Sequence, residues 1–166
     1  IYSFVLWGIL DNPSKQGVIN GLVNAIKFYK DEPELNHYIR CFDGIDKLKR
    51  EEIKSSGYIV DTLEAALWCL LTTETYSECV RLAVNLGEDT DTVGAVVGGL
   101  AGALYGYSEI PFSWVNTLIK QEEIEKRVER AKELFHQGFN CSQAVFAACA
   151  DIYGIEDEAF ISRSIP

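Results

Sequence analysis

The sequence predicts an all-α fold. Apolar residues recur at helical spacing in its regular segments, and no stretch alternates convincingly between apolar and polar residues as a strand does. Helix-start residues (Ser, Thr, Asp or Asn) precede several of these segments, and glycine follows them. At 166 residues the chain is long enough for one sizeable domain and a shorter second segment.

The first 57 residues are expected to be helical with one solvated connection. Residues 1–7 resemble the interior of a core element, Asn12-Pro13 predicts a helix start, and Pro33 predicts a shorter helix. The stretch 45–57, rich in Lys and Glu, predicts a solvated loop or a short exposed helix. The apolar face expected on the second helix consists of Val18, Ile19, Leu22, Val23 and Ile26.

Two capping signals predict the next pair of helices. Residues 61–64 (Asp-Thr-Leu-Glu) form a start resembling a capping box, and residues 75–78 (Thr-Tyr-Ser-Glu) form a capping box. Gly87 is expected to end the second helix. The predicted buried positions are Leu63, Ala66, Leu67, Leu70 and Leu71 in the first helix, and Tyr76, Cys79, Val80, Ala83 and Val84 in the second.

A glycine at every fourth residue marks the helix that follows, at positions 94, 98, 102 and 106. Each interior glycine costs about 1 kcal/mol relative to alanine, so another helix or a ligand must approach closely to compensate. This spacing is also found in membrane helix pairs, but the apolar run 93–107 is too short to span a bilayer. We therefore predict a buried central helix.

Between these helices lies an acidic stretch, Gly-Glu-Asp-Thr-Asp-Thr, at residues 87–92. In an extended turn, Asp89 and Asp91 would point to the same side. Two carboxylates about 5 Å apart repel by roughly 3 kcal/mol at an effective dielectric constant of about 20. A divalent cation such as Mg²⁺, Mn²⁺ or Ca²⁺ would offset this repulsion. The alternative is a structural helix start, with Asp89 as the N-cap residue and Asp91 in the first turn.

Two familiar acidic motifs do not fit this stretch. An EF-hand loop that begins at Asp89 would place Val93 and Leu100 where carboxylate ligands are needed. An Asp-x-Asp-x-Thr phosphotransfer loop would need threonine in place of Val93 and a buried strand before it. The stretch instead follows a predicted helix.

Residues 56–114 resemble the C-terminal part of ADP-ribosylglycohydrolases, enzymes that remove ADP-ribose from protein side chains. The resemblance rests on residues 57–68, 87–92, 98–106, 110–111 and Trp114, and residues 1–55 would be the helical middle of the same domain. It implies an all-α bundle around a two-magnesium site that also accepts Mn²⁺. The implied metal ligands are Asp89, Asp91 and Thr92.

The same resemblance implies that half of this site is missing. In the family, the other ligands come from a Gly-Asp-Ala segment and a Thr-Asp-Asp or Ser-Asp-Asp segment, and these 166 residues contain neither. The chain also contains no methionine, so we expect it to be a piece of a longer protein. We therefore expect this chain alone to show little or no turnover.

A second resemblance begins near residue 124. Residues 130–135 and 138–145 resemble the opening of a small redox-associated family with a Cys, Gly-Cys-Ala-x-x-Gly, Cys, Cys pattern, and Cys141 would be its first cysteine. A helix start favours a thiolate, whereas a lone cysteine among apolar residues is usually a small core residue. We therefore predict two parts: residues 1–120 from a glycohydrolase-like domain and residues 121–166 from a redox-associated module.

The amino-acid composition narrows the classes of molecule that the chain is expected to bind. A net charge of −10 and a pI near 4.6 oppose binding to nucleic acid or anionic membranes. Five cysteines with no Cys-x-x-Cys pair favour a reducing cytoplasm. Tyr58 is a candidate for stacking on adenine, although core packing is the more frequent role of such rings.

The predicted function is hydrolysis of the bond between ADP-ribose and a protein side chain, with an ADP-ribosylated protein or a smaller ADP-ribose compound as substrate. Three alternatives stay open: a module that binds ADP-ribose or a metal without catalysis, a redox-associated helical protein that uses Cys141, and a structural all-α domain.

Overall fold

The computed structural model describes residues 1–155, except the side chains of residues 141, 142 and 153, and this part contains helices and no strands, as predicted. The helices are α1 (Tyr2–Asp11), α2 (Lys15–Tyr29), α3 (Ile39–Phe42), α4 (Ile59–Thr72), α5 (Tyr76–Val84), α6 (Thr90–Tyr105), α7 (Phe112–Val115), α8 (Gln121–His136) and α9 (Cys141–Cys149). Single 3₁₀ segments span Pro33–Tyr38, Ile45–Lys47, Arg50–Glu52, Tyr107–Glu109 and Ala150–Tyr153.

The chain forms two compact units, one of residues 1–111 and one that begins at residue 112. Most of the larger core belongs to the first unit, where α4, α5 and α6 pack together and α1 packs on α2 and α6. No helix within residues 1–155 combines the length and apolar character needed to cross a bilayer. The assignment of residues 121–166 to a redox-associated module stays a prediction.

Helices α1 and α2 touch through their main chains. The predicted helix start at Asn12-Pro13 is slightly early, because α2 begins at Lys15 and Ser14 caps it by accepting a hydrogen bond from the Gly17 N–H (3.3 Å). A Cβ atom on Gly8 would lie 2.8 Å from the Gly21 nitrogen, and one on Gly21 would lie 2.6 Å from the Val5 Cα atom. This contact between the two main chains was not predicted from the sequence.

The predicted apolar face of α2 is only partly buried. Val18 and Leu22 belong to the core, whereas Ile19 and Val23 are 42% and 41% exposed. Helix α2 packs against α1 mainly through its glycines, so its buried stripe is rotated from the predicted one.

Helix α4 forms the centre of the first unit, where Leu67 and Leu70 are fully buried. It begins at Ile59, two residues before the predicted start at Asp61, and Tyr58 is its N-cap residue. The predicted cap residue Glu64 is instead buried at 5% exposure, and its Oε1 atom lies 3.2 Å from Arg40 Nη2. The pattern at residues 61–64 is therefore not a capping box.

The Glu64 carboxyl makes stability depend on pH. Burial raises the pKa of Glu64, and the charge of Arg40 partly opposes this rise. The folded chain thus holds the Glu64 proton more tightly than the unfolded chain does. This tighter proton binding stabilises the folded state fully below the ordinary glutamate pKa of about 4.3, and the stabilisation is lost as pH rises through the raised pKa of Glu64.

We expect the stability of the wild type relative to Glu64→Gln to fall as pH rises from about 4 to 7, as measured by urea unfolding at fixed ionic strength. Arg40→Gln removes the attraction that keeps Glu64 ionised, so it should extend this fall to higher pH. A stability difference that does not change with pH would show that the folded state leaves the Glu64 pKa unaltered.

The glycine-rich helix α6 packs against α1, α4 and α5 but is not the fully buried helix predicted, because Ala95 and Gly99 on its other face are exposed. Val93, Val97 and Leu100 are fully buried. A Cβ atom on Gly94 would lie 3.0 Å from Val84 Cγ1 of α5, and one on Gly99 would lie 2.8 Å from the Tyr2 hydroxyl of α1. Other helices therefore approach α6 closely at Gly94 and Gly99, whereas Cβ atoms on Gly98 and Gly102 would lie at ordinary distances of 3.6 and 4.0 Å from Tyr76.

The connecting segment, residues 43–58, differs from the predicted solvated loop. It contains two of the 3₁₀ segments, and Ile45, Ile53 and Ser55 are 3%, 5% and 2% exposed. The indole of Trp68 on α4 donates a hydrogen bond to the Leu48 carbonyl (2.9 Å). The Lys and Glu side chains that suggested solvation alternate with residues that anchor the segment to the core.

The second unit is built around α8 and α9. Leu134 of α8 packs with Ala144 and Ala148 of α9. Glu123 and Arg127 form an ion pair along α8, with Oε1 and Nη2 3.2 Å apart, and Arg127 also donates to the Ala148 carbonyl (2.7 Å).

Candidate metal centre

The acidic stretch forms a turn with unusual backbone angles between α5 and α6. We call residues 86–91 the acid turn. The preceding helix ends at Val84, so Gly87 lies within the turn, at a φ angle of +92°, rather than at the helix end as predicted. Glu88 has a φ angle of +56°, and such a left-handed conformation costs a non-glycine residue roughly 1–2 kcal/mol. The turn therefore needs support from the surrounding structure.

Two of the three carboxyl groups of the acid turn, those of Asp89 and Asp91, interact with each other. Asp89 is the N-cap residue of α6, but its side chain accepts no capping hydrogen bond. The pKa of Asp91 lies below its usual range, first because of a hydrogen bond with the Asp89 carboxyl and then because of the Thr92 and Asp91 backbone N–H groups. The predicted convergence of Asp89 and Asp91, which we call the acid pair, is present. It arises at a helix start rather than in an extended turn.

The acid pair and Thr92 offer oxygen atoms of the kind that Mg²⁺ and Mn²⁺ prefer. Thr92 and Asp91 are exposed in the first turn of α6, next to the half-buried Asp89. In residues 1–155, no group of three or more His, Cys, Asp or Glu side chains suitable for a metal forms here or elsewhere. The donor set fits part of a divalent-cation site.

The connecting segment holds the acid turn from one side. The Ser55 hydroxyl donates to the Gly87 carbonyl (2.6 Å), and the Asp89 N–H donates to the Ser55 carbonyl (3.0 Å). The Arg50 guanidinium donates to the Leu86 carbonyl. These bonds join residues more than 30 positions apart, and nothing in the local pattern around Arg50 or Ser55 indicates them.

The residues after Ser55 lie along the acid pair. A Cβ atom on Gly57 would be 2.8 Å from Asp89 Oδ2, so glycine leaves room for this carboxylate. The Ser56 hydroxyl donates to Asp61 Oδ2 (2.6 Å) and accepts from the Tyr58 N–H (3.2 Å). Tyr58, the predicted substrate-binding residue, is 55% exposed and directly follows the glycine that faces Asp89.

A cavity of about 450 Å³ is lined in part by α6, the helix that begins in the acid turn. Its walls include Ile59 and Thr62 of α4 and Val96 of α6, together with Tyr2 and Tyr38. Val96 lies four residues, about 6 Å along the helix axis, beyond Thr92. The cavity is lined mainly by apolar and aromatic side chains, which is typical of a site for a small organic ligand.

The candidate redox residue lies in the second unit. Cys141 is the first residue of α9, and its side chain lies outside the described part of the structure. Burial raises the pKa of Cys41 and of Cys69 to about 12, so both thiols stay protonated near neutral pH. These two cysteines are therefore core residues.

Comparison with known proteins gives consistent matches. The model of the ADP-ribosylglycohydrolase family matches residues 2–142. The chain is 51% identical over 82 residues to the ADP-ribosylarginine hydrolase Tri1 of Serratia proteamaculans, a match that covers 49% of this chain and 22% of that protein. It is 45% identical over 74 residues to the ADP-ribosyl-[dinitrogen reductase] glycohydrolase of Rhodospirillum rubrum, which covers 45% and 25% of the two chains.

A solved structure described as an ADP-ribosylglycohydrolase-related protein complex matches 73% of this chain with a TM-score of 0.58 and 35% sequence identity. The match covers 42% of that chain. This chain thus spans about a quarter or less of the length of the two curated relatives above.

Proposed function

Because the chain belongs to the ADP-ribosylglycohydrolase family, we propose that its first unit supplies the Asp-Thr-Asp-Thr part of an active site that hydrolyses the bond between ADP-ribose and a protein side chain. The observation that carries this proposal is the acid pair, whose carboxyl groups converge on an exposed helix start. A structural N-cap would turn the Asp89 carboxylate toward the first backbone N–H groups of α6, and it makes no such bond.

In this proposal Asp89, Asp91 and Thr92 hold Mg²⁺, or Mn²⁺ in its place. A bound divalent cation supplies Lewis-acid chemistry, because it lowers the pKa of a bound water and orients hydroxyl groups of the substrate. The two carboxylates balance its charge, and the hydroxyl of Thr92 adds a neutral oxygen. Remaining ligands would come from residues that correspond to the rest of the family's longer chains.

We propose an ADP-ribosylated protein, linked through arginine, as the substrate. Support comes from the two relatives named as ADP-ribosylarginine hydrolases, which are 51% and 48% identical over the aligned residues. In this proposal Tyr58 stacks on the adenine of ADP-ribose, which its exposed ring and its position beside the glycine that faces Asp89 support. A smaller compound that contains ADP-ribose would use the same contacts.

Two alternative functions lead to different expected results. A module that binds ADP-ribose or a metal without catalysis would use the same acid pair but would leave the substrate intact. The redox role of Cys141 is a separate prediction, and it requires neither the acid pair nor Tyr58.

Calorimetric titration of Mn²⁺ and Mg²⁺ into this chain at pH 7 tests the proposed metal site. We expect saturable binding of Mn²⁺ that weakens as pH falls, because protons compete for the carboxylates. A parallel assay follows the release of ADP-ribose from ADP-ribosyl-arginine with Mn²⁺ present, where we expect little or no turnover.

The possible outcomes distinguish the hydrolase, the non-catalytic module and the structural domain. No Mn²⁺ binding would leave the acid pair as a structural helix start, whereas rapid hydrolysis would show that the chain holds a complete site. Binding of Mn²⁺ and of free ADP-ribose without turnover, even after a longer chain restores the missing carboxylates, would favour the non-catalytic module.

A further inference from the structure

The acid turn receives its support from a residue with no charge and almost no exposure. Ser55 is 2% exposed, so its hydroxyl has little access to water and does not itself face a ligand in solvent. The hydroxyl donates to the Gly87 carbonyl at 2.6 Å, and the Ser55 carbonyl accepts from the Asp89 N–H at 3.0 Å. The two bonds therefore fix the acid turn on both sides of Glu88.

These bonds have a direct consequence for the Asp89 carboxylate. The main chain of Asp89 is held by Ser55, while the side chain lies against Gly57, two residues further along the same segment. The segment thus sets both the position of the Asp89 backbone and the space open to its carboxylate. Arg50 adds a third bond, to the Leu86 carbonyl at the beginning of the turn.

We infer that Ser55 is a positioning residue: it orients Asp89 toward Asp91 so that both carboxylates meet one cation, without contacting the cation itself. This inference rests on the proposed function of the acid pair. Residues that orient a metal ligand typically change metal affinity by about 10- to 100-fold when they are replaced.

The test compares Ser55→Ala with Thr73→Val in the same chain. Thr73 is a suitable control because its hydroxyl is also buried and also donates to a backbone carbonyl, that of Cys69 (2.7 Å), outside the acid turn. Each variant removes one buried hydroxyl. We expect Ser55→Ala to weaken Mn²⁺ binding about tenfold and Thr73→Val to leave it unchanged, although both lower the melting temperature.

A second readout needs no metal. In the metal-free chain, we expect Ser55→Ala to speed hydrogen exchange of the Asp89 amide while the exchange of amides within α4 changes little. Arg50→Gln, which removes the bond to Leu86, should weaken Mn²⁺ binding in the same direction and provides a second variant if Ser55→Ala folds poorly.

The outcomes separate this inference from the proposed function. If the wild type binds Mn²⁺ and Ser55→Ala binds it equally well, the positioning role is overturned and the metal site stands. Equal weakening by Ser55→Ala and Thr73→Val would also overturn it, because the effect would then be one of general stability. If the wild type binds no Mn²⁺, the proposed function and the inference fail together.

Discussion

Replacing Gly21 with alanine is expected to lower the free energy of unfolding of the first unit by about 1–2 kcal/mol. The new Cβ atom would lie 2.6 Å from the Val5 Cα atom and would also meet the Phe4 carbonyl oxygen, so the obstacle is the main chain of α1. Alanine favours a helix by about 1 kcal/mol over glycine, but overpacking against atoms that cannot move aside costs more than this gain. Urea unfolding followed by circular dichroism measures the difference.

Gly102→Ala is the matched control for this prediction. It also places alanine inside a helix of the first unit, but there the Cβ atom would lie 4.0 Å from Tyr76 Cε2, which is an ordinary contact. We expect it to raise stability by about 0.5–1 kcal/mol. If Gly21→Ala were as stable as Gly102→Ala, α1 and α2 would not meet through their main chains at Gly21.

Replacing Asp91 with asparagine is expected to reduce Mn²⁺ affinity by more than about 100-fold, the upper range for residues that only support a ligand. The change keeps the shape of the side chain and removes one of the two charges that would balance the cation. Asp91 is exposed, so the melting temperature of the metal-free chain should stay close to that of the wild type. Calorimetric titration at pH 7 gives the affinity.

Glu109→Gln is the control for charge alone. It removes an exposed carboxylate in the 3₁₀ segment after α6 and lowers the net negative charge by the same amount. We expect Mn²⁺ affinity to change little, because salt screens charges that are further apart than a Debye length, about 8–10 Å. If Asp91→Asn binds Mn²⁺ as tightly as Glu109→Gln does, the cation lies elsewhere and the acid pair is a structural helix start.

Local patterns were sufficient to predict most helices and the acid pair. Thr75 caps α5 as predicted, since its side chain accepts from the Glu78 N–H at 3.2 Å, but Glu78 accepts from the Glu74 N–H rather than from Thr75, so the full capping box does not form. Of the evenly spaced glycines of α6, only Gly94 is closely packed against another helix, so the cost of glycine in a helix predicted close packing at more positions than the structure has. The helix positions and the Thr75 cap depend on residues within one or two helical turns of each other, so they can be predicted directly from the sequence.

Features that depend on distant residues were not predictable in this way. The bond between Ser55 and Gly87 joins two loops that are 32 residues apart. Glu64 matched a capping position, but its carboxylate meets Arg40, which lies on α3. Gly17 and Gly21 of α2 are four residues apart, the same spacing as in α6, but that spacing does not tell which helix meets them, and only the crossing of α1 and α2 shows it.

The connecting segment holds the acid turn in place, although no ligand touches the segment. Binding of a cation at the acid pair should therefore also stabilise the folded conformation of the segment. At a cation concentration of one hundred times the dissociation constant, binding stabilises the conformations that bind the cation by about 2.7 kcal/mol. Conformations that do not bind it gain nothing. Opening of residues 50–55 would release Asp89, so a bound cation would disfavour that opening. Supply of the ion would then govern how long this stretch resists a protease.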